Sequence, residues 1–263
     1  MYNCKLQAHR GVAAEYPENT MPAFIKAYEQ GYDIIEFDPK MTADHIPVVL
    51  HDRTLNRTGR IAGETLKEEK KIENLRFADL CDVDVGMWKS AAFAGTHIPT
   101  LSQALDYMKS VGLEAKIDNV VQTFSDSDRE IVFETVRRHA DEALTGFTFS
   151  RLDMLRQAAE RFPRAILHYD GEITEENLSR LKEIVAGHKT YVWMRYDNAL
   201  TSWNKNIPVN EQWAKRIKRD FLLGVWILES DEDFAAAAAF EPDVVETTGT
   251  IKPPEEKRRK SVL

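Results

Sequence analysis

Residues 33–51 read DIIEFDPKMTADHIPVVLH, and the opening of that stretch decides the fold. Asp33–Asp38 is a short apolar run closed by two acids, Glu36 and Asp38. Side chains in a strand alternate faces, so Glu36 and Asp38 share one side while Ile35 and Phe37 point to the other. A second strand-like run begins at Pro47. The link from Asp38 to Pro47 is too short for a crossover helix, because parallel strands need a connection of about a dozen residues. The second run therefore folds back as an antiparallel hairpin with Asp44 and His45 at its tip. A two-residue tip pairs Ala43 with Ile46 and sets Asp38 opposite His51, their Cβ atoms about 4.5–5.5 Å apart.

Outward from this hairpin, short apolar runs alternate with segments of helical period. Strands are expected at Lys5–His9, Asp33–Asp38, Leu113–Asp118, Gly146–Phe149, Ala165–Tyr169, Tyr191–Arg195, Gly224–Leu228 and Asp243–Thr247. Helices are expected at Met21–Gln30, Leu101–Ser110, Asp126–Ala140, Leu152–Arg161, Glu175–Ala186, Glu211–Phe221 and Asp231–Phe240. Strand–helix alternation implies parallel strands with crossover helices. Eight such units in 263 residues predict an α/β fold, a (β/α)8 TIM barrel with a β-hairpin extension after the second strand. No low-complexity linker divides the chain, so residues 1–263 read as a single catalytic domain.

The formal net charge of −8 argues against a nucleic-acid partner, since phosphate contacts need concentrated Lys and Arg. An acidic chain that takes a phosphate ester needs a local cation. The two cysteines, Cys4 and Cys81, are too few for a disulfide framework or a Cys-rich zinc site. The start, MYNCKLQAHRG, has no signal-peptide pattern, and no apolar stretch reaches spanning length, so a cytoplasmic protein without integral membrane contact is expected. Oligomeric state is left open.

Barrel enzymes build their sites at the C-terminal ends of the strands. Glu36 and Asp38 lie there, and two adjacent carboxylates repel unless a proton or cation intervenes. Oxygen-only ligation suits Mg²⁺ or Ca²⁺. His9 ends the first strand, followed by Arg10 and Gly11, and arginine forks onto two phosphate oxygens. His51 ends the hairpin and precedes Asp52. Trp226 ends a late strand, where it offers either an apolar wall for a ligand or a core aromatic. Thr20 is a helix N-cap candidate ahead of Pro22. His97 and His168 read as structural.

The ordered motifs AHRG, PENT, IEFD, T-x-D, PVVLHD and L-x-R-T, between Ala8 and Thr58, resemble the N-terminal signature of glycerophosphodiester phosphodiesterases. DVGMWKSAAFAG and IPTLSQAL resemble the family's next segment, and beyond about residue 145 the likeness thins to general architecture. The resemblance implies a metal-dependent hydrolysis of a small glycerophosphodiester to glycerol phosphate and an alcohol. It makes His9 and His51 the acid–base pair, and Glu36 and Asp38 ligands of a divalent cation, Mg or Ca. It places a third carboxylate on the next barrel strand. Asp118 fits that position by its place at the strand's C-terminal end, with Glu114, at the strand's start, as the rival. Arg10, Glu18, Lys116 and Trp226 are the substrate-binding candidates. The family's lysine falls on Val120 here, which leaves Lys116 or Arg195 as substitutes. The alternatives are a phosphodiesterase acting on a lysophospholipid, with GMWKSAAFAG (86–95) as its apolar rim, and a non-catalytic phosphodiester-binding barrel.

Overall fold

The computed structural model describes residues 4–196 and 205–261. Eight parallel strands close into a barrel: β1 (Lys5–Ala8), β2 (Ile34–Phe37), β7 (Glu114–Ile117), β8 (Thr145–Phe149), β9 (Ile166–Tyr169), β10 (Thr190–Arg195), β11 (Leu222–Trp226) and β12 (Val244–Thr247), with β12 pairing back onto β1. An antiparallel pair, β3 (Pro39–Met41) and β4 (Pro47–Val49), follows β2. A smaller pair, β5 (Arg60–Ile61) and β6 (Glu64–Thr65), lies in the insertion that precedes the third barrel strand. The fold is the expected TIM barrel.

Crossovers are made by α1 (Met21–Gln30), α3 (Leu101–Val111), α4 (Asp126–His139), α5 (Leu152–Arg161), α6 (Glu175–Ile184), α7 (Glu211–Ile217) and α8 (Asp231–Ala237); α2 (Phe77–Leu80) is a single turn in the insertion. Local chemistry sets the ends. Gly31 and Gly112 stop α1 and α3 in the left-handed conformation that glycine adopts without a Cβ penalty. Thr100 and Gln103 form a capping box for α3. Thr20 occupies the N-cap of α1, but its hydroxyl donates to the Pro17 carbonyl (2.6 Å) and caps no helix N–H. The strand expected at 224–228 is shifted: Leu222 and Leu223 pair with β10, and the strand ends at Trp226.

One expectation fails. The hairpin register is Pro39 with Val49, Lys40 with Val48 and Met41 with Pro47, so Asp38 lies opposite Leu50, whose N–H donates to the Asp38 carbonyl (2.9 Å), and His51 falls one residue beyond. The loop has three residues, Ala43–His45. His45 takes φ +60°, and its N–H donates to the Thr42 carbonyl (3.0 Å). Side chains decide this. Thr42 Oγ1 accepts the Ile46 N–H (2.9 Å) and donates to Asp44 Oδ1 (2.8 Å), while Asp44 Oδ1 also accepts the Phe77 N–H (2.9 Å). The tip is thereby tied to the insertion, whose own small core is Val48, Leu50, Leu55, Ile72, Leu80, Val83, Val85 and Ile98.

The main apolar core lies between barrel and helices and includes Phe24, Phe37, Phe133, Phe147, Phe149 and Phe162. Inside the barrel, Ile34, Ile166, Tyr191, Trp193 and Val244 form an apolar layer. Space there comes from two glycines. A Cβ on Gly146 would meet His168 Nε2 at 2.3 Å, and one on Gly224 would meet the Trp193 ring at 2.5 Å. Toward the strands' C-terminal ends the interior turns polar: Gln7, Glu36, Lys116 and Glu246 are all buried.

Candidate active site

Glu36 and Asp38 are brought to the barrel mouth by β2, and Asp118 by the end of β7. One carboxylate oxygen from each lies within 4.8 Å of the others. Glu114, the rival for the third position, begins β7 at the opposite end, where it pairs with Lys5 (2.6 Å) and Lys189 (3.3 Å). Asp118 also accepts the Val120 N–H (2.9 Å), which fixes the turn Asn119–Thr123 that follows. Asp38 accepts from Asn19 Nδ2 (2.7 Å), and Asn19 is held at φ +57° in the loop after β1.

His9 projects from the end of β1. Its Nε2 stands 3.8 Å from Glu36 and 3.7 Å from Glu246, and its Nδ1 is buried with no hydrogen-bond partner. Arg10, at φ +55°, donates its backbone N–H to Glu36 (3.0 Å) and its Nη1 to Glu18 (3.1 Å), with Nε 3.5 Å from Asp38. His51 Nδ1 is 2.7 Å from Asp52 Oδ1, so the carboxylate selects the Nδ1–H form and leaves Nε2 for proton exchange. Arg57 binds both Asp52 (2.7 Å) and Glu18 (2.6 Å), bracing the loop after β4 against the loop after β1.

These groups surround one cavity of about 490 Å³, lined by His9, Arg10, Glu36, Asp38, His51, Lys116, Asp118 and Trp226 among the expected residues. Glu18 stands behind Arg10, outside the lining. Arg195 is also outside it, buried, with Nε donating to the Asn206 carbonyl (3.1 Å). Lys116 reaches the cavity, but its ammonium is 3.2 Å from Glu246 and 4.0 Å over the Trp193 ring. The segment 86–95 forms no rim. Trp88 lies beneath Arg57 and Lys89, and Phe93 packs on Tyr16. The cavity's apolar wall is instead Val120, Trp193, Trp226 and Ile227.

Lys40, Asn119, Asp170 and Glu246 also line the cavity, beyond the residues expected from the sequence. For three of these four the sequence holds a signal. Lys40 continues the Glu36–Asp38 parity, and Asp170 and Glu246 lie at the C-terminal ends of predicted strands, where a barrel places its chemistry.

The electrostatics point to a cation. Burial, then Asp38, Glu246 and Asp118, push the Glu36 carboxyl well above its ordinary range. Burial and Asp38 likewise raise Asp118. Burial raises Asp38 too, but Arg10, His51 and Lys40 outweigh it and keep Asp38 below the usual value. The protein's own cations therefore leave two of three acids uncompensated. Three hard oxygen donors with unrelieved repulsion fit a divalent ion. His9 is lowered, chiefly by burial and against the pull of Glu246, which favours the neutral imidazole.

Among curated proteins, the chain is 40% identical over 111 residues to the YhdW protein of Bacillus subtilis (strain 168), covering 40% of this chain and 41% of that one. It is 32% identical over 145 residues to the glycerophosphodiester phosphodiesterase of Caldanaerobacter subterraneus subsp. tengcongensis, covering 48% and 55%. The matched stretches thus span less than two thirds of these relatives' lengths. Among solved structures, a phosphodiesterase of Oleispira antarctica in complex with the product sn-glycerol-3-phosphate superposes with TM-score 0.75 at 20% identity, over 94% of this chain and 93% of that one. That likeness speaks for the fold. The profile of the glycerophosphoryl diester phosphodiesterase family matches residues 9–247, nearly the whole barrel and every element of the cavity. The chain belongs to the glycerophosphoryl diester phosphodiesterase family.

Proposed function

We propose that the protein hydrolyses small glycerophosphodiesters to glycerol phosphate and an alcohol. The observation that carries this is the convergence of Glu36, Asp38 and Asp118 with His9 and His51 on a single cavity at the barrel mouth. Glu36, Asp38 and Asp118 would hold a divalent cation, Mg²⁺ or Ca²⁺. Bound there, such an ion supplies charge neutralisation and polarisation of the phosphoryl group.

The chain's own groups do the rest. Arg10, positioned by Glu18 and Asp38, donates charge-assisted hydrogen bonds to the phosphoryl oxygens. His9, neutral and beside Glu36, accepts the proton of the incoming oxygen, from water or from a neighbouring substrate hydroxyl. His51, oriented by Asp52, donates a proton to the departing alcohol as its bond to phosphorus breaks. Trp226 walls the cavity beside the glycerol moiety. Lys116, spent on Glu246 and Trp193, organises the floor and does not reach for phosphate.

The test is hydrolysis of a panel of glycerophosphodiesters with Mg²⁺, with Ca²⁺ and with chelator, scoring glycerol phosphate and free alcohol. Turnover that requires the metal is the expected result. Activity that survives complete chelation removes the cation from this account, and binding without any turnover makes the barrel a receptor.

A further inference from the structure

Lys40 is a buried cation of the cavity wall that leaves most of its hydrogen-bonding capacity unused. It lies on β3, pairs in register with Val48, and is 8% exposed. Its ammonium can donate three hydrogen bonds. The contact it makes is a long one, 3.5 Å to the carbonyl of Pro39. Among the described residues no carboxylate forms an ion pair with it, although Asp38 and Asp118 line the same cavity.

The other lining cations each have a carboxylate partner. Arg10 is engaged by Glu18 and Asp38, Lys116 by Glu246 and the Trp193 ring, and Arg53 by Glu73 at 3.0 Å. A buried ammonium with open donor capacity, aimed into a cavity, is held for an anion that arrives from outside. The strand that carries it packs on the turn Asn119–Thr123, and Lys40 shares the lining with Val120 and Thr123. Val120 brings no donor to that wall. Lys40 supplies it from the facing hairpin.

We propose that Lys40 binds a non-bridging oxygen of the substrate's phosphoryl group, completing with Arg10 a two-sided cationic clamp on the phosphodiester. The proposal rests on the phosphodiesterase reading of this same cavity and assigns the anion contact within it. Glu36, Asp38 and Asp118 would hold the divalent ion, and the Lys40 ammonium would meet the phosphate from the hairpin side.

The experiment compares the wild type with Lys40→Met, Lys40→Gln and Lys40→Arg. Glycerol 3-phosphate and, separately, Mg²⁺ or Ca²⁺ are titrated calorimetrically, and KM and kcat are measured on the best glycerophosphodiester. Loss of one charge-assisted hydrogen bond predicts roughly ten- to hundredfold weaker glycerol 3-phosphate binding and a comparable rise in KM for Met and Gln. Arg restores most of both. Divalent-ion affinity stays level or tightens, because a nearby positive charge is gone. Unchanged glycerol 3-phosphate affinity in the Met and Gln variants overturns the assignment. So does a loss that runs in parallel with lost metal affinity, which marks a merely structural lysine. A wild type that binds glycerol 3-phosphate without turning any diester over sinks the hydrolase reading alone, and Lys40 is then judged on the binding data. A wild type that does neither sinks both.

Discussion

Lys116 Nζ lies 3.2 Å from Glu246 Oε2 inside the barrel, where Gln7 Nε2 donates to the same oxygen at 2.6 Å. Both ions are almost wholly removed from water, at 6% and 4% exposure. Removing one partner leaves an unpaired buried charge, which typically costs about 3–5 kcal/mol, whereas removing both is far less harmful. Lys116→Met and Glu246→Gln should each lower stability on that scale. The double variant should lose clearly less than the sum, as read from urea midpoints. Additive losses would mean that the two charges are not coupled.

The carboxylate trio predicts a metal-dependent stability. A ligand that binds only the folded state stabilises it by about 2.7 kcal/mol at a hundredfold excess over Kd. Mg²⁺ or Ca²⁺ should raise the Tm of the chelated wild type accordingly. In Glu36→Gln and Asp118→Asn that increment should vanish, while the chelated variants melt no lower than the wild type because repulsion has been relieved. A persisting increment in Glu36→Gln would move the ion elsewhere.

Histidine replacement separates chemistry from folding. His9→Ala and His51→Ala should each lower kcat by about 10²–10⁴-fold with the circular dichroism spectrum unchanged. Asp52→Asn should have a smaller effect, because it removes only the group that orients His51. Burial pushes the Asp52 carboxyl up, but hydrogen bonds from Arg57 and then His51 hold it down at about 2, so it is ionised throughout the working range. Near-normal turnover in either alanine variant ends the acid–base assignment.

His168 gives the barrel an acid limit. It is fully buried, its Nδ1 accepts from Trp193 Nε1 (3.0 Å), and its Nε2 has no partner. Burial, reinforced by Lys116, holds its pKa well below 6.5. The unfolded chain takes up this proton near pH 6.5 and the folded one resists it. The stabilisation is therefore complete above pH 6.5 and declines as the pH falls, by up to about 1.4 kcal/mol per pH unit. Melting curves between pH 7.5 and 5 should show a shallower decline for His168→Gln than for the wild type. Equal slopes would clear His168 of the effect.

The barrel was readable because its signal is redundant: each alternation of apolar run and helical period restates the same layering, so the misplacement of the 222–226 strand changes nothing downstream. The convergence of the three acids was readable through strand parity and strand ends. The hairpin register was not, because it depends on what Thr42 and Asp44 bind. Asp44 is held by a backbone N–H at Phe77, far along the chain, and no count along the hairpin contains that contact. Lys40 and Glu246 were missed for a different reason. The parity and strand-end rules that found Glu36 and Asp118 apply to them equally, but a lysine beside a proline and a glutamate in VVETT carry no motif of their own.

The division of the barrel has a consequence for how such a protein changes. Its proposed chemical groups come from β1, β2, the hairpin and β7, a contiguous arc closed by Glu246 on β12. Asp170, Trp226 and Ile227 come from the far side of the ring. In the proposed reading, substitutions on that side reshape the wall beside the glycerol moiety while the proton-transferring groups stay put, so the range of diesters accepted can shift one side chain at a time.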